Sequence, residues 1–139
     1  MQPFITQVAI PDTDCYGVAW HGSYTRWLEA GRVDWFAQQG YTLPGPPHTL
    51  AEGEEPLVFP VIEQHLRFKA PARLWDELTI VTQVQVEGRR LIFPQKVLKG
   101  GTPLMEATTT CVVIHGTTWK PYRSLPDTIA HLLPQPLHS

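Results

Sequence analysis

The chain lacks the marks of several large classes of protein. It carries two cysteines in 139 residues, Cys15 and Cys111, far apart and without a Cys-x-x-Cys spacing. Neither a disulfide framework nor a zinc site is therefore expected. His48, His65, His115, His131 and His138 show no metal-ligand spacing either. Positive charge is not in excess: 11 Lys and Arg against 13 Asp and Glu give a formal net charge of −2. That balance argues against a nucleic-acid binder resting on bulk charge. No window approaches the roughly 20 apolar residues of a membrane span, and Phe4 to Ile10 is too short and interrupted to serve as a secretory leader. Repeats and low-complexity segments are missing too. The expectation is one domain over residues 1–139, cytoplasmic, with no metal, no membrane span and no nucleic-acid partner.

What is present is an ordinary globular composition, 42% apolar and 17% charged, with a high proline count of 14. Phe4, Thr6, Val8 and Ile10 alternate as one side of a strand that ends at Pro11. Tyr24, Trp27, Leu28, Gly31 and Trp35 fall on one helical face, widened by Ala30, Val33 and Ala37. This predicts a long helix buried on most sides, with Ala30-Gly31 allowing close approach, Glu29 and Arg32 spaced to pair, and Gly40 as its stop. Tyr41 to Pro56, rich in Pro and Gly, reads as a loop.

Four strand-like runs follow: Leu57 to Phe68, Leu78 to Val86, Leu91 to Leu98 with Pro94 hinting at a bulge or edge, and Met105 to Val113. The spacers at residues 70–73, 87–89 and 100–103 read as turns, so the runs are expected to pair as an antiparallel meander. Ser124-Leu125-Pro126-Asp127 looks like the capped start of a short helix reaching about Leu133. The sum is α+β, a sheet covering one very apolar helix.

The chemistry-bearing stretch is Asp12-Thr13-Asp14-Cys15-Tyr16-Gly17-Val18-Ala19-Trp20-His21-Gly22-Ser23-Tyr24, an acidic turn running straight into the helix. A carboxylate beside a helix N-terminus places a base or nucleophile next to a site that attracts developing negative charge, which suits acyl transfer. Either aspartate can instead be an Asx-turn or N-cap residue; for Asp12 the structural role is the expectation. Cys15 has no His–Asn or His–Asp constellation beside it, and reads as a spectator.

Asp12, Asp14, Gly17, Val18, Trp20, His21, Tyr24, Trp27 and Glu29 resemble the active-site segment of hot-dog-fold acyl-CoA thioesterases of the 4-hydroxybenzoyl-CoA thioesterase family. Phe68-Lys69-Ala70-Pro71-Ala72, Asp76 to Ile80 and Glu106 to Thr109 extend the likeness. The resemblance implies a curved antiparallel five-stranded sheet wrapped around one long helix. It also implies hydrolysis of an acyl-CoA to free acid and CoA without metal or organic cofactor. By position, Asp14 is its nucleophile or general base, and the backbone N–H of His21 its carbonyl donor, with the imidazole a candidate helper. Gly17, Trp20 and Tyr24 are its candidate substrate contacts. Arg89-Arg90 sits where the family presents cations to the CoA phosphates; Lys69 and Arg73 are weaker candidates. The family is dimeric or tetrameric, with active sites at subunit interfaces. An aromatic acyl group is compatible with the side chains near the motif. The competing readings are a non-catalytic acyl- or aromatic-binding module, a hot-dog dehydratase or hydratase, and an unrelated α+β cone binding a small apolar ligand.

Overall fold

The computed structural model describes residues 2–43 and 56–135; His48 and His138 lie outside them. β1 (Phe4–Gln7) is followed by a 3-10 turn at Ile10–Asp12 and by α1 (His21–Gln38). Then come β2 (Leu57–Val58), β3 (Val61–Phe68), β4 (Glu77–Thr82), β5 (Gln85–Glu87), β6 (Arg90–Lys99), β7 (Thr102–Val112), β8 (Ile114–His115) and α2 (Asp127–Ala130). The sheet is antiparallel in the order β1-β4-β6-β7-β3, with β5 also on β6, while β2 pairs β8 apart from it. The arrangement is the expected α+β one, a sheet against one long helix.

Several expected elements are corrected in detail. The run from Leu57 to Phe68 breaks at Phe59-Pro60, where proline supplies no donor. The strand expected over Leu78–Val86 is split into β4 and β5 opposite Pro94, so six strands occupy the five places. Pro94 accepts the Gln83 N–H at 2.9 Å on that side, and its own missing N–H falls at the break. Pro94 is thus neither at an edge nor in a bulge of its own strand, which pairs with β7 without interruption there.

The meander is also incomplete. β3 pairs with β7 on the far side, Phe68 opposite Met105, and does not neighbour β4. Residues 69–76 are a crossover and not a hairpin turn: Ala72 O accepts the Ala19 N–H at 2.8 Å, and Trp75 N–H reaches Val8 O at 2.9 Å. The crossover is pinned by Asp76, whose carboxylate takes the Arg73 N–H at 2.9 Å and Lys99 Nζ at 2.9 Å. Burial raises the Asp76 carboxyl, but the Lys99 hydrogen bond, the Arg73 N–H and the charges of both outweigh it and hold it below its ordinary value. α2 is also shorter than expected, four residues, with the chain continuing to Leu133 in tight turns.

α1 buries Tyr24, Trp27, Leu28, Gly31, Trp35 and Phe36. A methyl group at Gly31 would come within 2.8 Å of Ile80 Cγ2 and 3.0 Å of Thr82 Oγ1, so this glycine sets the closest approach of helix to sheet. The helix is not covered on most sides, however. Ala30, Val33 and Ala37 line a surface trough with Arg26 and Asp34. Nor does Arg32 pair with Glu29. It shares the inward stripe of Leu28 and Trp35, so its Nη1 donates to Gln95 Oε1 at 3.2 Å and its guanidinium lies 5.9 Å from the Phe93 ring centre. Burial there lowers the Arg32 guanidinium from its ordinary value and raises the neighbouring Cys111 thiol.

Candidate active site

The site is organised by the chain reversal between β1 and α1. Asp12 is 6% exposed and holds the reversal together. Its Oδ2 accepts the Ala9 N–H at 2.8 Å and its Oδ1 meets the Arg26 guanidinium. Its backbone O accepts the Trp20 N–H at 3.1 Å and the Ser23 hydroxyl at 2.9 Å. Asp12 therefore has the structural role expected of it.

From Asp12 the chain turns through a tight loop in which Thr13 bridges Ala19 and Val18 bridges Arg73. Asp14 N–H donates to Val18 O at 2.9 Å, and Asp14 O accepts the Gly17 N–H at 3.1 Å. Gly17 makes the turn with φ +76°, a conformation that costs a side chain but not glycine. Its carbonyl accepts the Leu74 N–H at 3.3 Å, which docks the loop on the crossover. Gly17 thus turns the loop, and it is not among the residues lining the cavities described below.

Asp14 is exposed, and it does two things at once. Oδ1 accepts the Tyr16 N–H at 2.8 Å and the Val18 N–H at 3.4 Å, an Asx turn. Oδ2 has no hydrogen-bond partner among the described residues. One oxygen fixes the loop and the other faces out of it.

His21 opens the helix, with Trp20 as an N-cap whose side chain makes no capping bond. The first amides of a helix have no partner within it. Ser23 N–H finds Trp20 O at 3.0 Å, whereas the His21 and Gly22 N–H groups have no acceptor among the described residues. Trp20 is 46% exposed, and its indole lies over Gly22 so closely that a Cβ at Gly22 would overlap it. Its ring meets the His21 imidazole edge-on at 5.7 Å.

At the helix start lies a cavity of about 410 Å³ lined by Ala19, His21, Tyr24, Phe68, Lys69, Ala70 and Pro71. Tyr24 forms its buried wall. Its hydroxyl accepts the Ala72 N–H at 3.0 Å, and its ring packs edge-on against Trp27 and Phe68 at 5.3 and 5.1 Å. Phe68 is 50% exposed. Lys69 binds Glu106 at 3.0 Å, a hydrogen bond that, with its charge, holds the Glu106 carboxyl below the ordinary range. A larger trough of about 620 Å³ lies across the sheet among Arg67, Val81, Pro94 and Lys96. It is not bordered by the start of α1, whereas the smaller cavity is.

The structure thus gathers His21, Tyr24 and the helix start at one cavity, with Asp14 and Gly17 in the adjoining loop and Trp20 over the first turn. Asp14 itself does not line that cavity within a single chain. Arg89 and Arg90 are not brought there at all. They sit at the β5–β6 turn, Arg89 Nη1 donating to Tyr122 O at 3.3 Å. Arg90 pairs with Val112, whereas the cavity residue Phe68 pairs with Met105. Seven residues of β7 at about 3.3 Å each put roughly 23 Å between the two places. Sequence reasoning missed Phe68 and Pro71 as lining residues because 70–73 reads as a simple turn. It also missed Arg26, whose partner is fourteen residues away with no periodicity to signal it. No three His, Cys, Asp or Glu side chains come together among the described residues in a way that could hold a metal ion.

Comparison with known proteins shows the family and the fold. Residues 8–133 match the model of the thioesterase-like superfamily. The chain is 31% identical over 125 residues to the acyl-CoA thioester hydrolase YbgC of Escherichia coli O6:H1, covering 88% of each. Among solved structures it resembles a probable thioesterase from Bartonella henselae at 30% identity and a TM-score of 0.79, over 90% of this chain and 98% of that one. The fold is shared, at 21% identity and a TM-score of 0.79, with an Asp-to-Asn variant of 4-hydroxybenzoyl CoA thioesterase complexed with 4-hydroxybenzoyl CoA, over 95% of this chain and 97% of that one.

Proposed function

Since the chain belongs to the thioesterase-like superfamily and is a thioester hydrolase, we propose that it hydrolyses an acyl-CoA with Asp14 and the start of α1 as its working parts. The observation that carries this reading is the start of α1, where the His21 and Gly22 N–H groups have no acceptor among the described residues and His21 borders an apolar cavity, with Asp14, one carboxylate oxygen likewise without a partner there, in the loop that runs into it. The thioester carbonyl lies against these amides, which stabilise the oxygen as it gains charge. Asp14 Oδ2 takes a proton from the attacking water, or attacks the carbonyl carbon itself to give an anhydride that water then opens. The tetrahedral intermediate collapses with cleavage of the carbon–sulfur bond, and CoA leaves as the thiolate. The walls supplied by Tyr24 and Phe68 suit a short or aromatic acyl group. The His21 imidazole and the Trp20 indole border the reacting centre.

A second copy of the chain completes the site. Among the described residues β3 pairs only with β7 and exposes Val61, Ile62 and Phe68 by 46, 48 and 50%, an edge that invites pairing. Pairing along it joins two sheets across a two-fold axis and brings a second chain to the Phe68 side of the cavity. That chain is also the source of the cations for the CoA phosphates, since Arg89 and Arg90 of the same chain lie a sheet's length away. A reducing cytoplasm, where acyl-CoA is found, suits the free thiols of Cys15 and Cys111.

Thiol release from a panel of short-chain, benzoyl and long-chain CoA esters, followed alongside mass by light scattering, tests this reading. The expected result is turnover of at least one class by a dimer or tetramer. Tight binding of the acyl-CoA without thiol release would favour the ligand-binding module instead.

A further inference from the structure

We propose that Arg26 is a positioning residue for hydrolysis: by gripping Asp12 it holds the Asp14 loop at a fixed place relative to the start of α1. The inference rests on the reading that Asp14 and the His21 amide act on one thioester. Asp12 is the junction of the loop and the helix, and three of its contacts come from the cap and first two turns of α1. Trp20 N–H and Ser23 Oγ bind its backbone carbonyl at 3.1 and 2.9 Å, and the Arg26 guanidinium binds its carboxylate. The contact with Ala9 N–H, at 2.8 Å, comes from the other side of the reversal.

The Asp12 carboxylate is buried, its side chain 8% exposed, while that of Arg26 is 61% exposed. Among the described residues Arg26 is the one cation within ion-pairing distance of either aspartate of the loop. A buried carboxylate with one amide donor and no counter-charge shifts or draws in water. Asp14 lies two residues further on, in a loop closed by backbone bonds of its own and docked on the crossover at its Gly17–Ala19 end, so a shift at Asp12 displaces the Asp14 end of the loop. Arg26 touches neither the cavity nor the free oxygen of Asp14. Its effect is on distance, and misplacement on the order of 1 Å can cost a hundredfold in rate.

The test is kcat and KM for thiol release from the best-hydrolysed acyl-CoA, with the unfolding temperature recorded for each variant. Arg26→Met is expected to lower kcat about ten- to hundredfold with KM changed less than about threefold. In an Asp14→Asn background the same substitution is expected to change the residual rate hardly at all, because no carboxylate remains to be placed. A purely structural role would make the two losses multiply, and a direct contact with CoA would appear in KM; either result overturns the proposal. So does wild-type kcat in folded Arg26→Met. If Arg26→Met does not fold, Arg26→Lys carries the test. It keeps the charge without the planar fork, and an intermediate kcat at unchanged KM is expected, wild-type kcat being the contrary result. An Asp14→Asn variant with full turnover would instead remove the parent reading, whatever Arg26 does.

Discussion

Replacing Asp14 by Asn is expected to lower kcat for acyl-CoA hydrolysis by about a thousandfold, within the range that positioned acid–base groups supply. The substitution isolates the chemistry because it spares the loop. An asparagine side-chain oxygen can accept the Tyr16 and Val18 N–H groups as Asp14 Oδ1 does. What changes is the outward-facing atom, Oδ2, which becomes an amide nitrogen with no basicity to offer water and no lone pair to offer carbon. Asp14 is exposed, so stability should change by less than about 0.5 kcal/mol and the unfolding temperature by less than about 2 °C. Substrate should still bind, with KM close to that of the unaltered protein. A kcat within about threefold of the original would mean that the free oxygen does no chemistry and that Asp14 is a turn residue alone.

Replacing His21 by Pro is expected to cost about a hundredfold in kcat while leaving α1 intact. Ordinary substitutions cannot remove a backbone donor, but here the fold permits it. His21 is the first residue of the helix, the position where proline is favoured because its missing N–H has no intrahelical partner to lose. Trp20 before it has φ −80° and ψ 156°, the extended conformation that a residue preceding proline prefers. The variant therefore deletes one hydrogen-bond donor and little else from the backbone. Loss of a single donor to an acyl-transfer oxyanion costs roughly a hundred- to a thousandfold, and the remaining Gly22 N–H argues for the lower figure. His21→Ala supplies the control: it removes the imidazole and keeps the amide, and its kcat should stay within about tenfold of the original. Equal rates for the Pro and Ala variants would shift the role from the amide to the imidazole.

The parts of the fold legible in the sequence were those set by local rules. Tyr24, Trp27, Leu28 and Trp35 share a helical face because their spacing is periodic, and all four are buried. Gly40 follows the helix with φ +87°, as a stop should. The Asp12–Tyr24 motif is one continuous segment, so its turn and its helix start could be placed together. Long-range geometry was not legible. Nothing in residues 69–76 distinguishes a hairpin turn from a crossover, because the bonds that decide it run to Val8 and Ala19, far away in the chain. Whether Arg89-Arg90 serves the cavity of its own chain is not legible either, because motif likeness carries no register, and the β7 ladder puts the pair at the other end of the sheet from Phe68. For Asp14, the sequence offers turn residue and reactive carboxylate as alternatives. A carboxylate has two oxygens, and the structure gives one of them to the turn.

The most direct test of the central claim, that the helix start grips the carbonyl which Asp14 acts upon, is the carbonyl stretching frequency of bound substrate. Benzoyl-CoA labelled with carbon-13 at the carbonyl would be bound to the Asp14→Asn variant, where hydrolysis is slow enough for infrared difference spectra. The account predicts a carbonyl band displaced to lower frequency than in solution, and return of the band toward its solution position when His21→Pro is added. A band at its solution frequency in the Asp14→Asn complex, with binding verified, would contradict it.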